Sequence, residues 1–108
     1  MKTGTVPVLL ALSLTGCVTP PEHDAFKQVM DHQVGKSIDD PDVYPVLYKL
    51  RLTNTKSAPN GNLEYQYATG RRGKCELKFE VAPLERKIVK WSYDGGEREC
   101  VIETRANP

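Results

Sequence analysis

The run Cys75-Glu76-Leu77-Lys78-Phe79-Glu80-Val81 alternates without a break between apolar and charged residues. Successive side chains of a strand point to opposite faces, so this run predicts a strand with Cys75, Leu77, Phe79 and Val81 facing a core. Two neighbouring runs share the pattern. Asn62-Leu63-Glu64-Tyr65-Gln66-Tyr67-Ala68 sets Leu63, Tyr65 and Tyr67 on one face, and Lys87-Ile88-Val89-Lys90-Trp91-Ser92-Tyr93 follows downstream. Thr69-Gly70-Arg71-Arg72-Gly73-Lys74 and Ala82-Pro83-Leu84-Glu85-Arg86 turn the chain between them, and Asp94-Gly95-Gly96 closes the last run. Short strands joined by short turns pair as an antiparallel meander. Glu99-Cys100-Val101-Ile102-Glu103 adds a candidate final pairing. The third run admits two registers. One exposes Trp91 and Tyr93 as a binding surface, and the simpler one buries Val89, Trp91 and Tyr93 and leaves Lys90 in water.

A sheet with one apolar face needs a cover. Between His23 and Val34, the residues Phe26, Val29, Met30 and Val34 fall at helical spacing on one stripe. Asp24 suits the positive end of the helix dipole, and Gly35 suits its exit. Asp40-Pro41 reads as a cap and first turn for a second helix, although Val46, Tyr48, Leu50 and Leu52 also alternate as a strand would. Lys56-Ser57-Ala58-Pro59-Asn60-Gly61-Asn62 reads as a loop. The expected fold is therefore α+β: one or two N-terminal helices packed on a three- to four-stranded antiparallel meander.

The chain opens with a basic Lys2 and a nine-residue apolar stretch, Val6 to Leu14. A membrane span needs roughly 20 apolar residues, so this stretch fits a secretory signal instead. It runs into Leu14-Thr15-Gly16-Cys17, which resembles the lipobox of bacterial lipoproteins: an aliphatic residue, two small ones and a cysteine. That resemblance implies cleavage before Cys17, fatty acyl chains on its thiol, and stable attachment to a membrane. Val18 in place of an aspartate implies sorting to the outer membrane, with the domain facing the periplasm. The expected boundaries are a signal peptide at 1–16, a lipidated proline-bearing tether at 17–23, one domain at 24–103 and a tail at 104–108. The two remaining cysteines, Cys75 and Cys100, form an even pair in an exported chain and predict a disulfide.

Composition excludes several roles. Beyond the leader, 14 Lys and Arg balance 14 Asp and Glu, so no basic stripe exists to displace nucleic-acid counterions. His23 and His32 lie nine residues apart, on opposite faces of a helix, and read as solvated surface groups. Asp39, Asp40 and Asp42 lack the ligand spacing of a calcium loop and read as capping and solvated residues. No serine sits in a nucleophile elbow. The chain is expected to be no enzyme, with no metal and no cofactor. One polar cluster is a candidate for binding: Arg71, Arg72 and Lys74 crowd a turn, where they can meet anionic headgroups or an acidic protein patch, or simply be solvated.

Gly35-Lys36-Ser37-Ile38-Asp39-Asp40, Asn60-Gly61-Asn62-Leu63-Glu64-Tyr65, Cys75 opening a strand, and Gly95-Gly96 before Cys100 together resemble the small outer-membrane lipoproteins of the SmpA/OmlA/BamE type. The likeness covers about Phe26 to Ile102 and departs from the group's pattern at Ala58-Pro59 and at Pro83-Leu84-Glu85-Arg86. It implies a fold similar to the β-lactamase-inhibitor protein and a non-enzymatic scaffold for an envelope protein partner. Two other roles stay open at this stage. One is an inhibitor of a periplasmic or extracellular enzyme such as a lysozyme, acting through a projecting Gly70-Arg71-Arg72-Gly73 loop; the other is a secretion-pilot lipoprotein.

Overall fold

The computed structural model describes residues 21–102, so the leader, Cys17 and the 104–108 tail lie outside the described residues. Helix α1 spans Pro21–Gln33. Proline at a helix start loses no hydrogen bond, and Glu22 and Asp24 in the first turn complement the dipole. Its buried residues are His23, Phe26, Met30 and Gln33. That stripe corrects the expected one at two points. Residues 21–23, expected in the tether, lie inside the helix, and Val34 falls past its end, 43 % exposed. His23, expected in solvent, is 1 % exposed. Gly35 then takes φ 95°, and its N–H bonds to the Ile88 carbonyl at 2.8 Å, which turns the chain onto the sheet.

The ambiguous stretch after residue 40 divides between helix and strand. Helix α2 is one turn, Tyr44–Leu47, and strand β1 follows at Arg51–Ser57. Asp40 and Pro41 do not start α2; Val43 is the cap, Pro45 sits in the first turn, and Asp40 Oδ1 accepts the Asp42 N–H at 2.9 Å. The buried Gln33 Oε1 accepts the N–H of Tyr44 at 2.8 Å, so α1 itself supplies an acceptor to the start of α2. Lys49 at φ 54° reverses the chain, with Leu50 N–H closing onto the Pro45 carbonyl. Lys56 and Ser57, expected in a loop, belong to β1.

Strands β2 (Leu63–Thr69), β3 (Cys75–Val81) and β4 (Ile88–Asp94) complete a four-stranded antiparallel sheet in the order β1-β2-β3-β4. The α+β class, the helices on a meander and the single disulfide therefore stand as expected, but the final pairing at 99–103 does not form among the described residues. Tyr65, Phe79 and Trp91 align across the inner face, as do Tyr67, Leu77 and Tyr93. A bulge shifts β4 by one residue between the Glu80–Lys90 and Val81–Ile88 pairs. Ile88 thereby enters the core, while Val89, expected inside, is 43 % exposed. Trp91 and Tyr93 remain on the core face. Phe26 meets both rings edge-on at 5.9 Å, and Trp91 Nε1 donates to Asp31 at 2.8 Å.

Phe26 and Met30 of α1 pack with Leu77, Phe79, Val81 and Ile88 in a fully buried cluster. Each such side chain contributes about 1.5–3 kcal/mol of burial free energy. The Asp39 carboxylate takes a bidentate pair from Arg86 at 2.7 and 3.0 Å, and Arg86 also donates to the Tyr65 hydroxyl at 3.1 Å. Asp39, solvated as expected with its side chain 62 % exposed, is thus also a bridge between the loop after α1 and the β3–β4 turn. Cover is uneven across the sheet. The apolar cluster sits over β2, β3 and β4, whereas every residue of β1 is exposed.

Candidate functional site

The β2–β3 connection is a single 3-10 turn at Arg71–Gly73, and it is folded tightly onto the segment between β4 and Cys100. Gly70 stands at φ 78° where a Cβ would overlap the Glu99 carbonyl oxygen. Only glycine permits that approach. The close fit lets Arg71 N–H bond to the Glu99 carbonyl at 2.9 Å and Arg71 Nε donate to the Arg98 carbonyl at 3.1 Å. Arg72 is held at φ 59°, a left-handed conformation unusual for a long side chain. Beneath the turn, Cys75 and Cys100 form the predicted disulfide, which fixes the 95–101 segment to the start of β3.

The two segments and the first turn of α1 enclose an open depression of about 600 Å³, walled by Glu22, Arg71, Arg72, Arg98, Glu99 and Val101. Of the three cations expected to act together, Arg71 and Arg72 line it, and Lys74 does not. Arg98 takes the third place. Sequence reading missed it, although the disulfide carries the signal: residues just before Cys75 and just before Cys100 must come together once those cysteines pair. Among the described residues, none of the three arginines forms an ion pair; the salt bridges join Lys78 to Asp94, Arg86 to Asp39 and Lys90 to Glu80. Glu22 and Glu99 share the wall, so the lining carries three cations and two anions. The Arg71 guanidinium, held by the Arg98 carbonyl, loses less freedom on binding, and guanidinium groups offer paired donors to carboxylate or phosphate oxygens.

The buried polar groups nearby are structural. His23 Nδ1 lies 2.9 Å from the Cys100 carbonyl and Nε2 lies 3.1 Å from the Tyr93 hydroxyl. A carbonyl only accepts, so Nδ1 carries a hydrogen, and with the Tyr93 hydroxyl on Nε2 the buried ring has a partner at both ends. Burial pushes the Tyr67 phenol up to about 12, so it stays protonated near neutrality. Among the described residues, no group of three or more His, Cys, Asp and Glu is placed to hold a metal. No helix among them is long and apolar enough to cross a membrane. Comparison with family models, with curated proteins and with solved structures finds no match for this chain.

Proposed function

We propose that the chain is a lipid-anchored envelope lipoprotein whose domain is a protein-interaction module, helping to scaffold or stabilise an outer-membrane complex. The observation that carries this reading is the arginine-lined depression beside the first turn of α1, a few residues along the sequence from Cys17. Only Val18, Thr19 and Pro20 separate Cys17 from the first residue of α1, and Glu22 of that helix lies in the wall. Four residue steps reach at most about 14 Å. Lipid on Cys17 would therefore hold these three guanidinium groups, none in an ion pair among the described residues, close to the bilayer surface. Confinement there raises the effective concentration of a weakly bound partner, and an acidic group on an envelope protein is the complementary ligand.

The inhibitor reading gains nothing from the geometry, because it needs a projecting loop and Gly70–Gly73 is folded against residues 98–99. Two measurements test the proposal. Metabolic labelling with a palmitate analogue should mark the wild-type chain and not Cys17→Ser; equal labelling sinks the anchor. Crosslinking in cells should recover membrane-complex subunits, and Arg71→Glu with Arg72→Glu should reduce that recovery several-fold without lowering the melting temperature. Recovery unchanged by the charge reversal would remove the depression from the binding surface.

A further inference from the structure

Strand β1 is the least explained part of the fold. Its seven residues are all exposed, it pairs with β2 alone, and its other edge meets no strand among the described residues. A strand with both faces and one edge in water repays little of the entropy lost in ordering it. The edge presents a row of backbone N–H and C=O groups ready to pair with another extended chain. Leu52 within it is 48 % exposed, and Val46 and Leu47 of α2, shortly before it in the chain, are 45 % and 57 % exposed. The bulge at Thr53 is pinned by a hydrogen bond from its hydroxyl to the Gln66 carbonyl at 3.0 Å, so the edge is held in one shape.

Charge identifies the occupant. From Val43 to Leu63 there is no Asp or Glu, while Lys49, Arg51 and Lys56 supply three cations, in a mature chain whose charges balance as a whole. None of the three forms an ion pair among the described residues. Two copies of β1 aligned antiparallel would set Arg51 and Lys56 of each against those of the other, so self-association is disfavoured. We infer that the open edge of β1 is a docking site for an extended segment of a partner protein that alternates apolar and acidic residues and adds as a fifth strand. Backbone hydrogen bonds would supply affinity, Leu52 and the α2 residues Val46 and Leu47 an apolar contact, and Arg51 and Lys56 the selection for acid. This inference adds a second contact surface to the interaction module proposed above and rests on that reading.

The test uses the full-length chain in detergent micelles and a synthetic peptide of alternating valine and glutamate. Successive N–H groups of a strand point to opposite sides, so strand addition has a signature. Those β1 amides that exchange freely in the absence of peptide should slow by about tenfold at a peptide concentration ten times the dissociation constant, while the amides already paired with β2 change little. The valine–lysine counterpart should not slow them, and Arg51→Glu with Lys56→Glu should invert the preference. Four results overturn the inference: no slowing in β1; equal slowing by the lysine peptide; slowing with rising protein concentration alone, which signals a second copy; or resonance changes confined to Arg71, Arg72 and Arg98. Because the edge is read by exchange and the anchor by acyl labelling, failure of one is not mistaken for failure of the other.

Discussion

Replacing Cys75 and Cys100 by serine, singly and together, measures what the bridge contributes to a small domain. The bond spans 25 residues. Closing a loop of that length removes about 12 cal/mol/K from the unfolded ensemble in the chain-entropy treatment, which is about 3.5 kcal/mol at 25 °C. A chain of this size has a total stability of only about 5–14 kcal/mol. At about 4–8 °C per kcal/mol, the melting temperature should fall by roughly 15–25 °C. Both cysteines are fully buried, so the serine hydroxyls add a further desolvation cost of about 1 kcal/mol or more each. The loss should also be local. Cys100 offers its carbonyl to His23, and the same segment carries Arg98 and the carbonyls that hold Arg71, so amides at 95–101 should exchange faster. Thermal melts by circular dichroism at neutral pH, with and without reductant, make the measurement. Each single variant should lose most of what the double loses, since either substitution opens the same loop. Clearly additive single losses, or a shift below about 5 °C on reduction of the wild type, would refute the entropy reasoning.

His23→Ala orphans the buried Cys100 carbonyl, leaves the Tyr93 hydroxyl without its partner and opens space beside Phe26; urea melts should show a loss of about 2–4 kcal/mol. His23→Asn, which keeps a donor, should recover part of it, whereas equal losses would show that packing alone matters. The Glu80 carboxyl is held below its ordinary value of 4.5 by hydrogen bonds from Asn60 at 2.8 Å and Asn62 at 2.7 Å, with Lys90 adding to the effect. A carboxylate lowered in the folded state stabilises above its unfolded pKa and loses that contribution as pH falls through the folded one. Stability should therefore decline below about pH 4.5 through loosening of the β1–β2 turn, and Glu80→Gln should flatten that part of the acid limb. An unchanged pH profile would rule Glu80 out as its source.

The strand at 75–81, the helix opening near residue 23, the turns and the pairing of Cys75 with Cys100 were legible in the chain, because each depends on local periodicity or on elimination among few cysteines. The Arg71–Arg72 half of the depression was legible too, as cations crowded on a glycine-flanked turn. The proposed lipid anchor rests on the sequence by itself.

What only the tertiary structure decided is of another kind. The bulges at Thr53 and in β4 depend on the partner strand, and the second sets which of Ile88 and Val89 is inside. His23 and His32 look alike along the helix, and only the approach of Tyr93 and Cys100 buries the first. Asp39 finds Arg86 47 residues away, and Arg98 reaches Arg71 across the disulfide-closed loop. Backbone periodicity fixes what one segment presents, but a buried polar group, a bulge or a cation cluster is settled by what the opposite segment offers. That information lies in no single stretch of chain.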